Sequence, residues 1–500
     1  MPLRPAAPRP RAAPLAWAAL LLAAAAAATL PPASAAGPEW RIQAPEFIEN
    51  ESYLANGSIV VAQGGVLTCR NAAVLFNLNV SGELKLEVLA GGSLSLDNCT
   101  LRASDAARAL GLHWNFLVSG HLDARLADIS DMRGDAGLGG LEANVGDVLI
   151  EDSRIHHNRY YGIMLKAGVA TIRNTTFDSN VVGVFVTPGA SPYLENVTVT
   201  NSTSFGLKVN DASPVVRNLT VSGGTGFGVG AVGAILDIVG CRVSGVEVGV
   251  DAVLGTTGRV EGCEFLTVAT AVRASNSPLR VEGCTIFGSG IGVNATSSAV
   301  VVHGNTFDQV ALGVRAAGSA AGPDVGEGTQ NTFTGSGVGF VIYVPNFFLE
   351  GNTYGQGMTG ARVFHTLTLE VVTKAGAPVQ RASVQITTAD GSPAFSGFTN
   401  DTGAVEATLE HFRDLSNGSR QNVTPHHVRI ETPGLVTETT LNATSDRTER
   451  ITLADAAPAT PLGVSREALI LIALVLGAVG AGTLYRMRAR RKASGVTLPV

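Results

Sequence analysis

Charge is scarce in this 500-residue chain: only 15% of residues are Asp, Glu, Lys or Arg, and the net charge is −6. No basic surplus is there to draw a polyanion, which argues against nucleic acid as a partner. Cysteine is nearly missing. The five present are Cys69, Cys99, Cys241, Cys263 and Cys284, and an odd count in an exported chain is not a disulfide framework. No His or Asp shares their spacing in a metal-binding pattern. Abundance lies elsewhere, in 59 glycines with many Val and Thr. That mixture fits short strands and tight turns better than helices. The length exceeds what one core usually serves, so two or more domains are expected.

Long apolar runs occur at the two ends. Arg4, Arg9 and Arg11 precede an Ala/Leu-rich run from Leu15 to Leu30, then Ala33-Ser34-Ala35. This order reads as a secretory signal, 1–35. Near the other end, Ala468 to Tyr485 carries no charge and is followed by Arg486, Arg488, Arg490, Arg491 and Lys492. Such a run just spans a bilayer, and its basic flank should remain cytoplasmic. The expected order is signal 1–35, solenoid 36–362, sandwich 363–455, linker 456–466, transmembrane helix 467–485 and basic tail 486–500. The product is a single-pass cell-membrane protein with an extracellular ectodomain.

Between them the chain repeats. Copies begin at Ile150, Ile172, Leu194, Val216, Ile238, Val260, Val281 and Val302, with a last one at Leu349. A period near 22 is one turn of a parallel β-solenoid. Positions one, four and six are apolar or small, as in Ile150, Ser153 and Ile155. Strict alternation cannot turn all three inward, so the chain must bend at position three. That column holds Asp152, Asn174, Asn196, Asn218, Gly240, Gly262, Gly283, Gly304 and Gly351, residue types that tolerate left-handed backbone. A second column (Gly162, Gly183, Gly206, Gly228, Gly249, Ala271, Gly292, Gly313, Gly339) precedes a second strand; a third strand is only implied. The solenoid is expected from about Pro45 to Gly360, with a protruding loop from Ala316 to Gln330. Cys241, Cys263 and Cys284 share position four and form a ladder of buried thiols.

The segments Ile150 to Ile155, Thr171 to Phe177 and Val281 to Ile286 resemble the right-handed parallel β-helix proteins of the pectin-lyase-like class. The resemblance implies fold and handedness. It leaves function open, since the class holds lyases, polygalacturonases, copper-maturation proteins and surface proteins of no known activity. After Thr366 the repeat yields to strand alternation (Leu367 to Val372, Ala382 to Ile386). Ala375 to Val379 with Thr399 to Gly403 resembles the carboxypeptidase-regulatory-like, transthyretin-like β-sandwich, which implies a spacer without catalysis. The fold class is therefore all-β: a right-handed parallel β-helix, a small β-sandwich and one C-terminal transmembrane helix.

Three sets of residues carry candidate chemistry. Glu151, Arg173, Glu195 and Arg217 at position two form a surface ion-pair ladder; farther on, Glu261 above Glu282 is a weak cation site. His156 and His157, in a polar-aromatic corner, and Asp128 and Asp131, in an acidic stretch, are the catalytic candidates. A lyase would need carboxylates holding Ca²⁺ and a base, and a hydrolase two carboxylates facing one bond, but neither signature is legible. Outward residues of the second strand, Met164, Phe185, Lys208, Asp251, Arg273, Asn294 and Arg315, line one face. Phe185, Lys208, Arg273 and Arg315 are expected to bind there. Many Asn-X-Ser/Thr sequons fit a glycoprotein. Asn294, Asn417, Asn422 and Asn442 are the candidates for glycans, whereas Asn174, Asn196 and Asn218 read as turn residues. The expected function is non-enzymatic binding of carbohydrate or an envelope component, without metal or cofactor. The alternative is a surface-tethered polysaccharide lyase or glycoside hydrolase, with Ca²⁺ if a lyase.

Overall fold

The structure is a computed structural model describing residues 37–453, apart from 136–137, 145–146, 319–325, 336 and 345–346. The expected signal, linker, membrane helix and tail lie outside the described residues. Among the described residues no helix is long and apolar enough to cross a membrane. The described residues form two compact units: one up to His365 together with Glu410–Asn422, the other Thr366–Leu409 together with the residues from Val423 on.

The first unit is an all-β solenoid of about 14 turns. One rung is three short strands, for example Val148–Glu151, Arg154–His156 and Tyr161–Leu165. Each pairs in parallel with its counterpart in the next rung: Ile150 with Ile172, Ile155 with Phe177, Ile163 with Val184. The sequence motif read as one bent segment is thus two strands, which is why the third was blurred. Pairing runs from Trp40 (with Ile59) to Val363 (with Ile342).

The bend at position three is a left-handed corner in every rung. Asn50, Asn71, Asn98, Leu126, Asp152, Asn174, Asn196, Asn218 and Gln330 all have φ between 47° and 55°, and Gly240, Gly262, Gly283, Gly304 and Gly351 between 59° and 72°. Amide side chains bond along this column, Asn174 Nδ2 donating to Asp152 Oδ1 at 3.1 Å and Asn196 Nδ2 to Asn174 Oδ1 at 3.0 Å. A second left-handed column follows the next strand, through Asp131, His157, Ser179, Asn201, Gly223, Gly245 and Thr267.

The second glycine column has another cause. These glycines lie within strands, not at corners, and face the core. A Cβ on Gly183 would sit 2.5 Å from Val199 Cγ1 and 2.7 Å from the Gly206 carbonyl oxygen. Position six and the next rung leave no room for a side chain.

Position four is a buried ladder of backbone donors. The N–H groups of Cys241 and Cys263 donate to Cys263 Sγ and Cys284 Sγ at 3.3 and 3.4 Å. Those of Cys284, Asn305 and Asn331 donate to Asn305, Asn331 and Asn352 Oδ1 at 2.8, 3.0 and 2.9 Å. The thiols stand where asparagines stand farther along, and sulfur serves as acceptor. Hydrogen bonding to Cys263, then burial, pushes the Cys241 and Cys284 thiols up.

Three expectations change. Cys69 and Cys99 are joined in a disulfide, Cα–Cα 6.0 Å; the odd count hid a bonded pair beside three thiols. A rung was missed at Gly328, which pairs with Val302 and Leu349. Its position one is glycine because Phe340 fills the space, lying 2.5 Å from where a Cβ would be. Gly326–Thr329 is therefore strand, and the expected loop is shorter than Ala316 to Gln330; its middle lies outside the described residues.

The last rung is closed by residues of the Glu410–Asn422 segment. Buried Glu410 takes both Arg362 Nε and Nη2 at 3.0 Å, and Arg413 at 3.2 and 2.9 Å. Phe412 packs on the solenoid core.

The second unit has an antiparallel sheet of Pro393–Phe398, Ser383–Thr387, His426–Thr432 and Leu435–Leu441. Leu367 to Thr373 pairs in parallel with Arg447–Leu453. Leu369, Val371, Val384, Ile386, Val428, Ile430 and Leu453, from both sheets, form one apolar core.

Candidate functional site

The acidic stretch and the histidine corner meet. Asp128 opens a strand in register with Arg154, which sets Ser130 beside His156. His156, 8% exposed, bonds Asp128 Oδ1 through Nε2 at 2.8 Å and His157 Nδ1 through its own Nδ1 at 2.7 Å. The hydrogen bond from His156, aided by Arg154 and Arg108 and opposed by burial, holds the Asp128 carboxyl below the usual range. Asp131 is turned elsewhere: its left-handed corner delivers it to Arg108 Nε at 3.1 Å and to Ser130 Oγ at 3.3 Å. Asp128, His156 and His157 are brought together, and Asp131 is paired apart from them.

The position-two ladder is longer than the four residues read from sequence. Register stacks Glu49, Arg70, Asp97, Arg125, Glu151, Arg173, Glu195 and Arg217, alternating in sign over eight rungs. Arg125 and Arg173 bracket Glu151 at 2.7 and 3.6 Å, and Arg173 reaches Glu195 at 3.1 Å. Arg217 departs from the expectation and pairs with Asp237. Glu261 does stand above Glu282, but Arg259 and Arg280, each on the same strand as its partner, neutralise them. No group of His, Cys, Asp or Glu among the described residues is arranged to hold a metal.

The third strand's outward column is the most distinctive surface. Register runs Met164, Phe185, Lys208, Gly230, Asp251, Arg273, Asn294, Arg315. A neighbouring outward column, Tyr161, Val182, Phe205, Phe227, lies beside it. Tyr161 stacks on Phe185 at 5.3 Å, and Phe205 on Phe227 at 5.0 Å. The Lys208 ammonium lies over both Phe185 (5.0 Å) and Phe205 (5.4 Å). Arg273 lies over Phe227 at 5.4 Å while Asp251 clamps it at 2.6 and 2.8 Å. Rings and cations thus follow one another from Tyr161 to Arg273, but Tyr161, Val182 and Met164, the last expected to line the face, are buried in a cluster with Phe185. A bare Gly230 makes room, since a Cβ there would lie 2.4 Å from the Phe205 ring.

The expected binding residues hold different stations in this stripe. Phe185 is only 8% exposed, with one face on Tyr161 and the other under Lys208, so it supports the surface more than it presents it. Lys208 and Arg273 are part of the stack. Arg315 is farther along, with Asn294 Oδ1 at 3.3 Å and the Tyr343 ring at 5.7 Å. Tyr161, Phe205 and Phe227 escaped the sequence reading. Their signal was present, as each stands just before a glycine of the second column. Of the expected glycan sites, Asn294 bonds Arg315, Asn417 accepts from Ser419 N and Oγ at 3.0 and 2.6 Å, and Asn422 and Asn442 are exposed.

The sequence profile of the family "Right handed beta helix region" matches residues 127–265. Solved structures of similar shape include the A-module of the Azotobacter vinelandii mannuronan C-5 epimerase AlgE6, 14% identical, covering 66% of this chain and 92% of that one, TM-score 0.26. PfbA, a surface adhesin of Streptococcus pneumoniae, is 11% identical, covering 80% and 91%, TM-score 0.27. The Agl-KA catalytic domain is 12% identical, TM-score 0.29, covering 67% of this chain and 65% of that one, just under two thirds of its length. No curated protein sequence matches the chain. With the profile match over 127–265, the stacked rungs identify a right-handed parallel β-solenoid.

Proposed function

We propose that the solenoid is a non-enzymatic binding platform for carbohydrate or a glycan-bearing envelope component, and that the accessible part of the stripe, from Phe205 and Lys208 to Arg273, is its binding face. One observation carries the reading: rings and cations succeed one another along the stripe, Lys208 lying over Phe185 and Phe205 and Arg273 over Phe227. Phe205 and Phe227, half-buried, offer apolar ring edges, and Lys208 offers a cation whose contacts are rings. Flat apolar patches fringed by a few fixed polar groups suit sugar rings. The test is retention of the full-length protein on immobilised polysaccharides, compared with Phe205→Ser, Lys208→Ala and Phe227→Ser combined. Retention unchanged in the triple variant rules the stripe out.

The surrounding organisation follows as part of the same proposal. The signal 1–35 is cleaved, helix 467–485 anchors the ectodomain outside the cell, and 363–455 is a transthyretin-like β-sandwich spacer. Asn294, Asn417, Asn422 and Asn442 carry the glycans. Cell-surface biotinylation with protease shaving tests the topology.

A second reading, a surface-tethered lyase or hydrolase, is favoured by the Asp128–His156–His157 chain. A carboxylate orienting a buried imidazole that contacts an exposed one is an acid–base arrangement. Turnover of any polysaccharide, lost in Asp128→Asn with the fold intact, would establish it.

A further inference from the structure

The outward side of each rung's second strand forms a face that neither the stripe nor the position-two ladder uses. Its first outward column begins with Thr176, Thr198 and Thr220. Arg242 and Glu264 follow in register, and then Thr285, Thr306, Thr332 and Thr353. Read from either end the order is nearly the same: threonines, a central charge pair, threonines. A second column stands beside it. Thr200, Ser222 and Ser244 precede the centre there, and Leu266, Phe287 and Asp308 follow it.

Threonine is β-branched and stiff at χ1. The face is therefore ordered before anything docks, and covering it freezes little side-chain freedom. From Thr176 to Thr353 neither column carries a lysine, the residue that exposed strands use against association. The central pair has little to do in folding. Arg242 Nη1 donates to Glu264 Oε2, with the side chains 56% and 49% exposed, and so open a pair adds little stability. The second carboxylate oxygen and the remaining guanidinium N–H groups make no other bond among the described residues, so both partners have capacity for a second contact.

We propose that this face docks on the same face of a second copy of the chain. The two solenoids run antiparallel about a two-fold axis lying along the strand direction, between the rungs of Arg242 and Glu264. A two-fold contact must be self-complementary, and this one is. Arg242 of each copy meets Glu264 of the other, which joins the two pairs into a square of alternating charge. Thr220 then faces Thr285 and Thr198 faces Thr306. Size matches in the second column, where Ser244 and Ser222 face Leu266 and Phe287, small against large. Charge fixes the register, because a slip of one rung sets Arg242 against Arg242 or Glu264 against Glu264, and like charges across an interface repel. The nine rungs extend about 38 Å at about 4.8 Å per rung. Two columns wide, that area is small for a protein interface, so the dimer is weak and reversible.

The test is sedimentation velocity of the full chain in detergent over a concentration series. Four samples are compared: wild type, Arg242→Glu, Glu264→Arg, and an equal mixture of the two variants. Wild type should pass from monomer to dimer as concentration rises. Each variant alone sets like charges opposite each other at both central contacts, and its association should weaken about tenfold or more. In the mixture every central contact is again Glu against Arg, so association should return. Neither a lost surface ion pair nor a misfolded variant can be cured by mixing. Phe205→Ser with Lys208→Ala should dimerise as wild type does, since the stripe lies on the third strand. A chain that stays monomeric at every concentration, association equal in wild type and both variants, or loss without return in the mixture overturns the proposal. Loss of polysaccharide retention in Arg242→Glu would also overturn it, by giving this face to a glycan.

Discussion

At the scale of single residues, the fold is held by what is small and what can accept. A Cβ on Gly183 would meet Val199 and the Gly206 carbonyl at under 3 Å. Gly183→Val should destabilise the solenoid by about 1–3 kcal/mol, as overpacking does, read from urea midpoints; an unchanged midpoint would contradict the close-approach account. Asn305→Leu leaves the buried Cys284 N–H without its 2.8 Å acceptor and should cost about 1–3 kcal/mol. Cys263→Ser, which keeps an acceptor, should cost less. The glycine and cysteine columns were legible because the repeat printed them at one spacing. Their reasons were less so, since a glycine needed for a corner and one needed for close approach look alike in sequence.

Asp178 gives the residue scale a pH dependence. Burial opposes its ionisation, but hydrogen bonds from Thr200, Asn201, Arg154 and Ser179 outweigh it and hold the carboxyl far below the usual range. A carboxyl with a lowered folded-state pKa adds stability above its unfolded value of about 4, and that stability drains away as pH falls further. Asp178→Asn should therefore weaken the protein at neutral pH and flatten the decline in its urea midpoint below about pH 4. Equal acid sensitivity in both proteins would refute the role.

At the scale of elements, the rung was legible in its apolar positions and its Asn/Gly corner. The three-strand rung was not, because two strands flank one corner residue pair and read as a single segment. The rung at Gly328 was missed because Phe340, from another strand, takes over position one. Nothing local to Gly328 announces that. The aromatic partners Tyr161, Phe205 and Phe227 were missed for a similar reason: their meaning appears only when rungs are stacked. The disulfide belongs to this scale. It closes a loop across 30 residues of sequence, a constraint worth about 2–4 kcal/mol. In a solenoid each rung leans on its neighbours, so Cys69→Ala with Cys99→Ala should raise hydrogen exchange chiefly between Trp40 and Ala103. Uniform loosening over all rungs would show that the stack opens as one.

At the scale of the whole molecule, a net charge of −6 coexists with a stripe whose cations sit on rings. The ladder of alternating charges, by contrast, pairs within itself from Glu49 to Glu195, and Arg217 turns to Asp237. One face of the solenoid thus pairs its charges with each other, whereas on the stripe Lys208 rests on rings and Arg273 is shared between a ring and Asp251. The measurement that bears most directly on this account is retention of the full-length protein on a panel of immobilised polysaccharides, while new reducing ends and unsaturated uronates are followed in the same samples. The account predicts retention on at least one polymer, no product, and loss of retention in the Phe205→Ser, Lys208→Ala, Phe227→Ser variant. Product that disappears with Asp128→Asn, or retention untouched by the triple substitution, would contradict it.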